Sequence, residues 1–156
     1  MSRPALATLA HLSAPELARW YAGGSPPTAE WLKERVAGRM LASGAPGLLE
    51  RLTRPVFLAY SALGPFEGKS FNKDLTGGAN RMLGRDRLPF RCQVVPSVLD
   101  AQATLRLSYD HPENPAVLRG LFDELRRVDE HLALGPAMVQ LPLGKAPILF
   151  WFGLEI

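Results

Sequence analysis

The sequence holds a single cysteine, Cys92, in 156 residues. An intramolecular disulfide cannot form, and a Cys-rich metal site is excluded. The three histidines, His11, His111 and His131, are far apart and have no Cys or carboxylate at ligand spacing, so no metal is expected. Long apolar runs are also missing. The longest, residues 55–66, contains Tyr60, Ser61, Gly64 and Pro65, whereas a spanning helix needs about 20 apolar residues. No membrane span is expected. Pro4, Thr8 and His11 interrupt the N-terminal stretch, which makes a poor signal peptide. A cytoplasmic location is the expectation.

Charge of one sign is scarce too. The formal net charge is +3; residues 1–60 carry seven Lys/Arg against four Asp/Glu, and residues 61–156 carry eleven of each. So small an excess is screened within about 8 Å at physiological salt. The densest basic cluster, Arg81, Arg85, Arg87 and Arg91, is interrupted by Asp86. Nucleic acid is therefore not an expected partner. Gly64 to Ser70 has the flavour of a phosphate loop but places three residues between its glycines, where the motif needs four. It also lacks a convincing helix after Lys69 to face a phosphate. No cofactor is expected.

What is present suits one domain of ordinary size with a normal apolar core. Ser13–Ala14–Pro15–Glu16 matches a capping box and predicts a short helix with Leu17, Trp20 and Tyr21. Trp31, Leu32, Val36 and Met40 follow helical spacing and predict a second helix from Thr28 to about Ala42. A third begins near Pro46, and Pro55 is expected to break or kink it. From Gly64 onward apolar residues alternate. Residues 66–71 and 80–83, then Phe90/Cys92/Val94 and Leu105/Leu107/Tyr109, read as strands, with Gly77–Gly78 as a turn. Asn114–Pro115 followed by Val117, Leu118, Leu121, Phe122, Leu125 and Val128 predicts a long helix over about 115–130. Two closing strands follow, at 132–141 and 146–154. The expected fold class is α+β: a helical part over 1–63, then a curved antiparallel sheet or small barrel of about six strands over 64–156 with that helix inserted.

Three functional readings arise. The inward set Phe90, Val94, Leu105, Leu107, Tyr109, Met138 and Phe152, with Arg106 as a polar member, could line a pocket for an apolar small molecule or lipid. The loop Asp110–His111–Glu113 could supply acid/base chemistry at the pocket rim, although Asp and Asn beside Pro are ordinary turn chemistry. The N-terminal aromatics Trp20, Tyr21 and Trp31 could anchor a protein partner. Cys92 sits on the apolar face of its strand and reads as a packing residue. The oligomeric state is left open.

Gly64–Pro65–Phe66–Glu67–Gly68–Lys69 resembles the G-x-W-x-G signature of a bacterial family of unknown function, with Phe in place of Trp. Leu134–Gly135 and Phe150–Trp151–Phe152 stand in comparable places. A more distant likeness is to the G-x-W of lipocalin-like barrels. The resemblance implies a β-barrel and brings no activity with it.

Overall fold

The computed structural model describes residues 5–32, 34–44 and 47–156. Eight antiparallel strands form a closed barrel in which each strand pairs with the next in sequence and the last pairs with the first. They are β1 (Arg35–Ser43), β2 (Phe66–Phe71), β3 (Gly77–Met82), β4 (Arg85–Pro96), β5 (Ala103–Ser108), β6 (Leu121–Arg127), β7 (Leu132–Val139) and β8 (Ile148–Glu155). Among the described residues three α-helices accompany them: α1 (Leu6–Leu9), α2 (Ala14–Ala22) and α3 (Leu48–Ser61). No helix among the described residues is long and apolar enough to cross a membrane.

This overturns the α+β expectation of six strands with an inserted helix. The stretch read as a second helix contains β1, the strand that closes the barrel against β8. Its apolar spacing suits a helix, yet Gly38 in its middle makes room that a helix does not need. A Cβ there would lie 2.8 Å from the Phe66 ring and 2.9 Å from the Gly68 Cα. The stretch 115–130 is a single 3₁₀ turn, Ala116–Leu118, followed by β6. Both faces of β6 are buried. Leu121, Asp123 and Leu125 point into the barrel, while Phe122, Glu124 and Arg126 are covered from outside. Polarity therefore does not alternate, and the period of two is hidden. Gly77–Gly78 opens β3 instead of turning the chain. Pro55 lies inside one continuous α3 and does not break it.

The capping box at Ser13 and Glu16 is present and starts α2. Helices α1 and α2 cover the outside of the barrel, packing Leu6, Leu9, Leu17 and Tyr21 on Leu132, Leu134 and Trp151. The Tyr21 and Trp151 rings meet edge to face at 5.9 Å. Behind Tyr21 lies a buried polar network. The Glu124 carboxylate accepts from Tyr21 Oη at 2.8 Å, Val98 N at 3.0 Å, Arg106 Nη2 at 2.9 Å and the Ser97 hydroxyl. Arg126 donates to both Asp100 oxygens at 2.7 Å and stacks on the Tyr21 ring. Every charge there has a partner, so the network fastens α2 to the β5–β6 wall.

Helix α3 joins the end of β1 to the start of β2 and so closes one end of the barrel. Val56 and Tyr60 enter the barrel core, and the Tyr60 ring lies 5.4 Å from that of Phe150. Its outer face leaves Leu52 and Leu58 more than half exposed.

Candidate functional site

Among the described residues a charged cluster sits inside the largely apolar barrel. Lys69 of β2 is 2% exposed, and its Nζ lies 2.7 Å from Asp123 Oδ2, 2.8 Å from Tyr109 Oη and 2.6 Å from Asn80 Oδ1. The Tyr109 hydroxyl accepts from Lys69 and donates to Asp123 Oδ2 at 2.7 Å. Four rings box the ammonium: Phe152 at 4.7 Å, Phe90 at 5.2 Å, Phe66 at 5.4 Å and Tyr109 at 5.5 Å from Nζ to ring centroid. Each contributes cation–π attraction in a dry setting.

A backbone irregularity places Lys69 there. In a regular strand Phe66 and Lys69 would face opposite sides. Here the pairing of β2 with β3 shifts register between Phe66 and Gly68. The extra residue reverses the alternation, and both side chains point inward. Gly68 makes this possible: its φ is +148°, and a Cβ would stand 2.0 Å from Val36 O. The glycine that resembled part of a signature motif is thus the residue that turns a lysine into the barrel.

Burial pulls the Lys69 ammonium below the usual lysine range, against the opposing pull of the Asp123 carboxylate. Burial and the nearby Asp123 charge push the Tyr109 phenol well above its ordinary value. Burial, then Asp123, likewise raises Tyr60 on the inner face of α3, so the helix brings a phenol into the field of the same carboxylate. Cys92 is half-buried, and burial pushes its thiol up to about 12, which suits packing and not attack.

One polar atom in this cluster is unpaired. Asn80 is 1% exposed; its Oδ1 accepts from the Lys69 ammonium at 2.6 Å, which fixes the amide orientation. Its Nδ2 has no hydrogen-bond partner among the described residues. A buried, unsatisfied donor costs about 1–3 kcal/mol.

Among the described residues, two openings are each bordered by one ring residue of the Lys69 box, and neither is lined by Lys69, Asn80 or Asp123. A groove of about 660 Å³ on the wall is bordered by Phe71, Phe90, Gly78, Arg91 and His111. A smaller crevice of about 240 Å³ between α3 and the barrel is bordered by Met40, Tyr60 and Phe66.

The residues named from sequence divide accordingly. Phe90, Leu105, Leu107, Tyr109 and Phe152 share the interior, and three of them supply rings to the Lys69 box. Met138 is fully buried in β7. Val94 is 57% exposed where β4 runs out. Arg106 is on the outer face, held by Glu124 and lying over the Phe122 ring. His111 borders the wall groove, with Glu113 Oε2 3.7 Å from its Nδ1 and Asp110 exposed beside it. Trp20 is partly exposed, Tyr21 is buried, and Trp31 donates from Nε1 to Glu130 O. Sequence reasoning missed Lys69, Asn80 and Asp123. Among the described residues no group of His, Cys, Asp and Glu has the makings of a metal site.

No family model and no curated protein matches this chain. Among solved structures, a crystal structure of a protein from Thermomonospora curvata is similar, with a TM-score of 0.52 at 13% identity over 92% of this chain and 87% of that one. At that identity the likeness shows the fold alone.

Proposed function

We propose that the barrel binds an apolar small molecule, of lipid-like character, that carries an oxygen acceptor at one end. The observation that supports this reading is the unpaired Asn80 Nδ2 inside an aromatic-walled interior. Aromatic rings and aliphatic side chains would hold the body of the ligand, and a few convergent polar groups would fix its head. An acceptor oxygen beside Asn80 would complete the amide donor left over in the Lys69 cluster. Helix α3 is the natural cover, because it closes one end with Val56 and Tyr60 and leaves a crevice beside Phe66. Ligand entry would withdraw those two side chains from the core.

Native mass spectrometry of the purified protein tests this, followed by denaturing extraction and a thermal-shift panel of C8 to C16 alcohols, aldehydes and acids. A bound apolar compound, or a rise in Tm that is lost in Asn80→Leu while the variant stays folded by circular dichroism, is the expected result. A clean apo protein that no panel member stabilises would defeat the reading.

A further inference from the structure

We propose that Lys69 is a covalent ligand-binding residue that captures an apolar aldehyde or ketone as an imine inside the barrel. This rests on the binding reading above and specifies the head group of the ligand as a carbonyl.

The geometry supplies each part the chemistry needs. The amine must be desolvated, held still and close to a proton acceptor. Lys69 Nζ is enclosed by four rings and lies 2.7 Å from the Asp123 carboxylate. As an ammonium it uses all three N–H groups, on Asn80, Tyr109 and Asp123. Passing one proton to Asp123 leaves a neutral amine with a lone pair and two donors. That lone pair attacks the carbonyl carbon, and one of the nitrogen's two remaining protons passes to the carbonyl oxygen to give a neutral carbinolamine. The hydroxyl then leaves as water with the proton held by Asp123, 2.7 Å from Tyr109 Oη, which leaves a protonated imine paired with the Asp123 carboxylate. An aldehyde and an amine give an imine and one water, and nothing is oxidised or reduced. Asn80 Nδ2, aimed at no other group, is the donor available to polarise the incoming carbonyl oxygen. Water exclusion by the aromatic walls protects the imine from hydrolysis.

The chain has only four lysines, Lys33, Lys69, Lys73 and Lys145, so adducts can be assigned without ambiguity. The full chain is incubated with octanal and sodium cyanoborohydride, then digested and mapped by mass spectrometry. The octyl group is expected on Lys69 ahead of the other three, and the rate of Lys69 labelling should level off at lower pH than theirs. Each unit by which its pKa is depressed raises its neutral fraction about tenfold at neutral pH. Labelling of the other lysines with Lys69 untouched overturns the proposal, as does a Lys69 profile that coincides with theirs. Lys69→Arg keeps the charge and cannot form the adduct, so the label at this position should vanish. The pH profile is read on the wild type and does not depend on that variant folding. Octanol binding without reductant is measured in parallel by native mass spectrometry. Binding of octanol with no Lys69 adduct refutes the imine and keeps the binding reading, whereas loss of both refutes both.

Discussion

Replacing Asp123 by leucine isolates the buried ion pair inside the barrel. The Lys69 and Asp123 side chains are 2% and 5% exposed, so neither charge recovers solvent when its partner goes. Breaking a buried pair by removing one member costs about 3–5 kcal/mol, because the surviving charge stays uncompensated. Asn80 Oδ1 and Tyr109 Oη remain as neutral acceptors and keep Asp123→Leu toward the lower part of that range. At about 2–4 °C per kcal/mol for a domain of this size, Tm should fall by roughly 6–20 °C. Lys69→Met should fall similarly, leaving a buried carboxylate beside Tyr109. The double variant, Lys69→Met with Asp123→Leu, should return close to the wild type, since apolar replacement of a whole buried pair is neutral or stabilising by about 1–4 kcal/mol. Urea denaturation of the four proteins in one buffer gives the coupling directly. If both single variants stay within about 1 kcal/mol of the wild type, the pair is not buried as described. If the losses simply add in the double variant, the two side chains do not interact.

Tyr21→Phe removes the hydroxyl that donates to Glu124 and lies 2.9 Å from Thr104. A hydrogen bond to a charged group contributes about 1.5–3 kcal/mol, so the unfolding free energy from urea denaturation should drop by that amount, and an unchanged midpoint would remove the Tyr21 hydroxyl from the network. The Arg126 guanidinium holds the Asp100 carboxyl below its ordinary 3.8. A depressed carboxyl stabilises the fold above the unfolded value, and that contribution is lost as pH falls through the folded value. Asp100→Asn should therefore be less stable than wild type at pH 7, with the gap closing in acid melts below about pH 4; a gap independent of pH would rule out the ion pair. Pro55→Ala restores a backbone donor in the exposed middle of α3, where proline is up to about 3 kcal/mol worse than alanine. Amide exchange across Leu48–Ser61 should slow, and equal exchange in both proteins would mean that α3 opens only with the whole barrel.

The alternating strands were legible in sequence because one of their faces is wet. Leu105, Leu107 and Tyr109 turn inward from β5 while Arg106 and Ser108 remain partly exposed, so the period of two survives. It fails in β6, where α2 and the loop at 97–102 cover the outer face and a carboxylate occupies the inner one. Asp123 and Glu124 then look like neighbours on the polar side of a helix, although they face opposite sides of the wall. Read as a strand, Leu121–Asp123–Leu125 would have shown a carboxylate in the middle of an inward set. Lys69 was hidden by the bulge, since alternation counted from Phe66 puts it outside. Nothing local in β1 marks it as a strand. Its identity is set by pairing with β2 and β8, contacts distant in sequence that override its helical spacing.

Closure of the barrel through β1 and β8 sets an order of events during folding. Strands β2 to β8 can assemble as a run of neighbouring hairpins, each needing only the next segment of chain. The seam is different: β1 has β2 as its sole partner until the last strand has been made. In the interval its Val36, Met40 and flanking apolar residues are free to adopt the helix their spacing favours, and the opposite edge at β7 offers unpaired backbone to any strand nearby. Joining the first strand to the last is the contact of longest range in the topology and carries the largest loop-closure cost. During synthesis on a ribosome the seam cannot close until Ile148–Glu155 has emerged, and an open strand edge is a template for pairing with another chain.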